Sequence, residues 1–265
     1  MKYDSDAKNA MILPLPTPRQ GSEDAVRFVD LSKYDSFFKD LNRGFPIPKV
    51  LNAIAPPSPS RAGFIDSRLV VHRVGSFDAS FVPSMDDFDR LDPRFTIPKD
   101  VWSKLPEYKD WGFAVFQLHE LSGEPHPMAF EFKTRMPDKV FFPTVHIHDG
   151  QVHATEYFDH ALYLQHPELD ADVGAATGIP DPRRRLIRST DIASTFVDVE
   201  KAKGIVDGNL LVHKKLLKGN LANKDVWIAA KSDSSTKKYG SLKTLLPLGI
   251  LAPVTWIIRR RQLLQ

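Results

Sequence analysis

The chain has 265 residues, 42% of them apolar and 10% aromatic, which is enough to bury a core and excludes a disordered polymer. Its formal charge is +3, and the excess sits in Arg259, Arg260 and Arg261; without them basic and acidic residues balance at 33 each, so the body lacks the basic field of a nucleic-acid binder. With no cysteine, the sequence excludes disulfide frameworks, thiolate metal sites, iron–sulfur clusters and cysteine nucleophiles.

The opening, MKYDSDAKNAMILPLPTP, mixes charges of both signs, and its apolar run at 10–13 is too short for the hydrophobic region of a signal peptide. AMILPLP predicts a buried strand that breaks at Pro14 and Pro16, with MKY as its partner across the loop DSDAKN. LSKYDSFFKDLNRGF predicts a helix: Ser32 is the candidate N-cap, Tyr34, Phe37, Phe38 and Leu41 form one apolar face, and Gly44 with Pro46 stops it. Residues 55–63, APPSPSRAG, read as a proline- and serine-rich loop. LVVHRVGSFDASFV, 69–82, alternates and breaks at Gly75, which predicts two strands.

In PSMDDFDRL, Ser84 and Asp87 have the spacing of a capping box, and the acidic residues suit a helix start. A calcium loop does not fit, because Leu91 falls on a ligand position and the required glycine is missing. WGFAVFQLHEL, 111–121, and PMAFEFKTR, 127–135, predict two strands joined by a turn at SGEP, and KVFFPTVHIH with QVHATEYF predicts the next pair. The whole reads as an α+β domain over 1–230, mainly antiparallel β-sheet built from hairpins with a few short helices, its hairpin-rich core at about 65–165. Further on, GAATGIPDPRRRLIR reads as a loop whose Arg183, Arg184 and Arg185 are solvated or paired with acids. STDIASTFVDVEKAKGIVDG carries a helix-start signal limited by Gly204 and Gly208, and NLLVHKKLLKGNL fits helix or strand.

Residues 231–243 form a polar linker, and 244–261 form an apolar tail with a basic stop. Fifteen uncharged residues, TLLPLGILAPVTWII, precede the arginines. A straight helix of that length spans about 22 Å against a hydrocarbon core of about 30 Å, and Pro247 and Pro253 weaken it. Lys243 and Arg259, Arg260 and Arg261 can snorkel, Trp256 suits the interface, and Leu245, Leu246, Ile250, Leu251, Ile257 and Ile258 supply the apolar surface. The expectation is membrane association, with the arginines cytoplasmic and the body outside; the competing reading is a terminal strand or helix of the domain itself.

Five of the nine histidines lie between His146 and His166. In HIHDGQVH, Asp149-Gly150 is a two-residue hairpin signal. The register it sets pairs His146 with His153 and places Val145, Ile147 and Val152 on one face, with His146, His148 and His153 on the other. Three imidazoles on one face can hold zinc or iron with a water in the open position, and Glu156, Asp159 or His160 can complete the set. If 156–165 is helical, Glu156 and His160 stand one turn apart. The competing reading is a solvent-facing hairpin whose histidines pair with Asp149, Asp159 or backbone. No HExxH, GxSxG or P-loop is present. His119 and His126 flank the SGEP turn within reach of the same region.

NAMILPLPTP, the run LPEYKDWGFAVFQL with PMAFEFKTR and VFFPTV, and the ending LLPLGILAPVTWIIRRR together resemble a bacterial family known only as a domain of unknown function. The resemblance covers about the first 160 residues and the tail, and the chain departs from it in its histidine-rich segment and in lacking a signal peptide. It implies a cell-envelope location and carries over no site residues. The leading functional expectation is a non-enzymatic, membrane-anchored envelope protein whose body binds a protein or ligand. The alternatives are a metal-dependent hydrolase using the three-histidine site and a soluble cytoplasmic protein.

Overall fold

The structure, a computed structural model, describes residues 3–4, 10–19, 21–45, 69–92, 95, 99–102, 104–119, 122–123, 125–147, 151–171, 179–230 and 254–256. In chain order these form β1 (Tyr3–Asp4), β2 (Ala10–Leu15), β3 (Val26–Asp30), α1 (Phe37–Arg43), β4 (Val71–Val74), β5 (Phe77–Val82), α2 (Lys99–Trp102), β6 (Gly112–Leu118), β7 (Ser122–Gly123), β8 (Met128–Phe132), β9 (Lys139–Phe142), β10 (Thr155–Leu164), α3 (Pro167–Asp170), β11 (Ile187–Ile192), β12 (Leu211–Ala222), β13 (Val226–Ala229) and β14 (Val254–Trp256). Three 3-10 turns, Met85–Arg90, Pro106–Tyr108 and Ala193–Thr195, lie between them. The fold is α+β and mainly antiparallel, as the sequence predicts.

One sheet has the order β2-β6-β5-β4, the other β11-β12-β10-β14, and three two-stranded ribbons, β3-β8, β9-β13 and β1-β7, complete the described residues. GFAVFQL in β6 is apolar at nearly every position because both its faces are covered. Ala114 and Phe116 pack with β2, β4, β5 and the β3-β8 ribbon, while Phe113 and Val115 pack with Tyr108, Trp111 and Phe141. β2 runs through Pro14, which is tolerated because β2 is an edge strand. β9 joins the two halves: Phe141 packs on the β6 side, and Val140 and Phe142 pack with Phe158, Leu162 and Leu164 of β10.

Several predicted pairings are replaced by non-local ones. β4 and β5 do form the hairpin expected around Gly75, whose φ of +58° is the left-handed region glycine tolerates; a Cβ there would also collide with His126 Nε2. β6 and β8 are not partners: β6 pairs with β2 and β5, and β8 with β3, while Ser122-Gly123 of the supposed turn pairs with Tyr3 and Asp4. Of MKY, Tyr3 therefore pairs with Gly123 and not with AMILPLP. β9 and β10 are not partners either, since β9 pairs with β13 and β10 with β12. Each reassignment joins strands far apart in sequence, which turn signals cannot report.

α1 begins later than expected, with Ser36 rather than Ser32 at its N-cap; Ser36 Oγ donates to Asp40 instead of capping a backbone N–H. Tyr34, Phe37 and Leu41 are buried on one side, as their spacing predicts. Ser84 does mark the start of the turn at Met85–Arg90, but that turn is 3-10, and the Ser84 hydroxyl donates to the Asp87 side chain. The segment from Ser189 to Gly208 is strand and irregular turns rather than helix, and NLLVHKKLLKGNL resolves as β12. The loops at 55–63 and 231–243 lie outside the described residues.

Candidate functional site

The segment between β9 and β10 is held by two side chains from the β12–β13 connection rather than by a strand ladder. Asp225 Oδ1 accepts from the N–H groups of Thr144 (2.8 Å) and Val145 (3.3 Å), and its Oδ2 accepts from the Tyr108 hydroxyl at 2.6 Å. Asn223 Oδ1 accepts from His146 N at 2.8 Å, and its Nδ2 donates to the carbonyls of His146 (2.9 Å) and His153 (3.1 Å). One amide thus serves both arms of the loop, as a neighbouring strand would. Burial pushes the Asp225 carboxyl up, opposed by the hydrogen bonds from Tyr108, Thr144 and Val145; burial and then the Asp225 charge push the Tyr108 phenol up.

This anchoring keeps the apolar half of the predicted division of faces. Val145, Ile147 and Val152 pack together against the Phe113–Tyr108 cluster. His146 is directed elsewhere, stacked on Phe158 with ring centroids 4.6 Å apart. The His146–His153 ladder pair is not formed: residues 143–147 and 151–154 lie outside any strand, and Asn223 bridges the two histidines.

His146 instead meets His160, their Nε2 atoms 3.1 Å apart. Strand alternation puts His160 on the face of β10 shared by Phe158, Leu162 and Leu164, so the imidazole is 8% exposed. Burial, and after it the neighbouring His146, lower its pKa to about 4 against the opposing pull of Asp159. At neutral pH His160 is an uncharged imidazole. Its Nδ1 accepts from Asp159 N at 3.2 Å, which places its proton on Nε2, donated to His146 Nε2.

The other predicted residues are distributed differently. His148 lies outside the described residues. His153 is exposed and tied through its carbonyl to Asn223. Residues 155–164 are strand, not helix, so Glu156 sits about 13 Å along β10 from His160. Asp159 takes the opposite face of the strand from His160. Among the described residues no group of three or more His, Asp and Glu side chains converges as a metal set. His119 pairs with Asp78 at 2.9 Å, and His126 Nε2 accepts from Ser76 N at 3.0 Å, so both serve the β4–β5 hairpin. Arg183 and Arg184 donate their backbone N–H groups to the Asp181 carboxylate.

Sequence reading missed a second buried imidazole, His213, 1% exposed, whose Nε2 stands 2.8 Å from Asp170 Oδ1. The other Asp170 oxygen accepts from Leu211 N at 2.9 Å. Only the assignment of NLLVHKKLLKGNL to a strand would have exposed it, by placing His213 and Leu217 on one face.

Of the tail, Val254–Trp256 is described: β14 runs parallel to β10, with Val254 opposite His160 and Trp256 opposite Leu162. No helix among the described residues is long and apolar enough to cross a membrane. No protein-family model matches the chain, and neither the curated proteins nor the solved structures contain a significant match to it.

Proposed function

We propose that the junction between the 143–154 loop and β10 is a transition-metal site, zinc being the simplest occupant, with His146 and His160 as two of its ligands. The observation that carries this is the 3.1 Å apposition of the two Nε2 atoms. Two imidazoles on one tetrahedral zinc, at about 2.1 Å each, stand about 3.4 Å apart. His160 is neutral over the physiological range, so no proton competes there for the metal. Binding moves its proton from Nε2 to Nδ1 and gives up the 3.2 Å contact from Asp159 N. The loop's remaining histidines, His148 and His153, are the first choices for the other ligands. A metal with an open position there would activate water for hydrolysis.

Zinc titration of tag-free protein against a chromophoric chelator tests this. Stoichiometric binding is expected, weakened more than about 100-fold by His146→Ala or His160→Ala, since even indirect partners of a ligand are worth 10–100-fold. Substoichiometric binding that neither substitution changes refutes the site. His148→Ala and His153→Ala then report whether those residues complete it.

A second reading rests on the tail. The uncharged run 244–258 followed by Arg259, Arg260 and Arg261 suits a membrane anchor for a body that binds another envelope component or ligand. Insertion has to unpair Val254–Trp256 from β10. Flotation with liposomes decides: the full chain should float and a chain ending at Gly240 should not, and equal partitioning of the two removes this reading.

A further inference from the structure

β12 carries a lysine where its strand pattern calls for an apolar residue. Val212 and Lys214 share the face of β12 that meets α1, and Lys214 lies between Ile187 of β11 and Tyr163 of β10. Its ammonium stands 4.2 Å from the centroid of the Phe45 ring. Nζ donates to Asn42 Oδ1 at 3.2 Å, and the same oxygen accepts from the Tyr163 hydroxyl at 3.1 Å. Phe45 and Tyr163 are each 3% exposed, whereas Lys214 is half-buried. Among the described residues no carboxylate pairs with it; its charge is met by an aromatic face and one amide oxygen. Such a site desolvates the ammonium more than it compensates it, and burial lowers the amine to about 8.

We propose that Lys214 is a nucleophilic amine and the chain's preferred site for imine formation with small aldehydes. The geometry supplies what the reaction needs: a half-buried amine with no carboxylate beside it to hold its proton among the described residues, and a fixed acceptor that orients Nζ. The Nζ lone pair attacks the carbonyl carbon, a C–N bond forms, and the carbonyl oxygen takes up a proton as Nζ loses one. The carbinolamine then loses its hydroxyl and the remaining Nζ proton as one water, leaving C=N. Nothing is oxidised or reduced. The amine lies on the opposite face of the sheet from His160, so this chemistry is independent of the metal site.

The test is limited reductive alkylation of the full chain with formaldehyde and cyanoborohydride at pH 7, read by peptide mass spectrometry. The reductant traps the imine as a methylamine. Lys214 should be modified at least about tenfold ahead of exposed Lys139 and Lys218, because far more of it is unprotonated, even though a less basic amine is a weaker nucleophile. Its labelling should reach half-maximum near pH 8. Asn42→Asp places a carboxylate beside Nζ at nearly unchanged volume; it should raise the amine's pKa and abolish the preference at pH 7. Uniform labelling, or an undiminished preference in Asn42→Asp, overturns the proposal. Because the pH profile is read on the unaltered chain, a variant that fails to fold leaves the result intact.

Discussion

The β10–β12 ribbon buries two histidines on the same face, one at mid-strand and one at its end, and uses them in opposite ways. His160 lies opposite Leu217 and His213 opposite Leu164, all directed at the cluster containing Phe158, Leu162 and Leu186. His213 is closed by a carboxylate that a short helix, α3, delivers to it, so one of its nitrogens is committed to Asp170 and the pair braces the start of β12. His160 faces a second imidazole, brought in by residues 143–147, which lie outside any strand. A carboxylate partner makes an imidazole a brace; an imidazole partner leaves two nitrogens pointed at one another and able to take a metal between them. The partner, not the burial, separates the two roles.

The sharpest way to break this contrast is at the support of the loop. Asp225→Ala leaves the backbone N–H groups of buried Thr144 and half-buried Val145 and the Tyr108 hydroxyl without this acceptor, which should cost about 3–5 kcal/mol in urea unfolding. Exchange of the Thr144 and Val145 amides should accelerate, while the Leu211 amide on Asp170 stays protected. Next in size, His213→Ala removes a hydrogen bond to a charged group and should cost about 2–3 kcal/mol, with zinc affinity unchanged. If it lowers zinc affinity as far as His146→Ala does, the two histidines do not belong to separate sites. Tyr108→Phe withdraws one donor from Asp225 and should cost about 1–2 kcal/mol by the same measurement.

What was legible in the sequence divides along the same line. Local signals identified the β4–β5 hairpin, the apolar face of α1 and the sharing of one side by Val145, Ile147 and Val152, because each depends on spacing within a few residues. Asp149-Gly150 carried the turn argument too far: the register it implied needs a ladder, and the backbone on either side is tied to Asn223 and Asp225, about 70 to 80 residues away. The partner of His146 is only 14 residues away and was hidden instead by the unknown conformation of its own segment. Strand periodicity reveals which side His160 faces only once 155–164 is known to be strand, and Glu156, His160 and the residues between them fit a helix as readily. His213 was hidden in the same way by an ambiguous segment.

The smallest effect sharpens the contrast most, because it isolates His160. The unfolded chain carries an ordinary histidine there, with a pKa of about 6.5, whereas burial and His146 hold the folded one at about 4. Below pH 6.5 the unfolded state therefore takes up a proton that the native state refuses. Stability present above pH 6.5 is lost progressively as pH falls toward 4. His160→Gln removes that titration. At pH 7 the variant should differ from the parent by no more than about 1 kcal/mol, but its unfolding free energy should decline less steeply between pH 6.5 and 4.5, as read from urea midpoints at a series of pH values. A variant whose decline matches the parent's would mean that His160 takes up its proton as readily folded as unfolded. The imidazole pair would then be a wet surface contact rather than a site kept neutral for a metal.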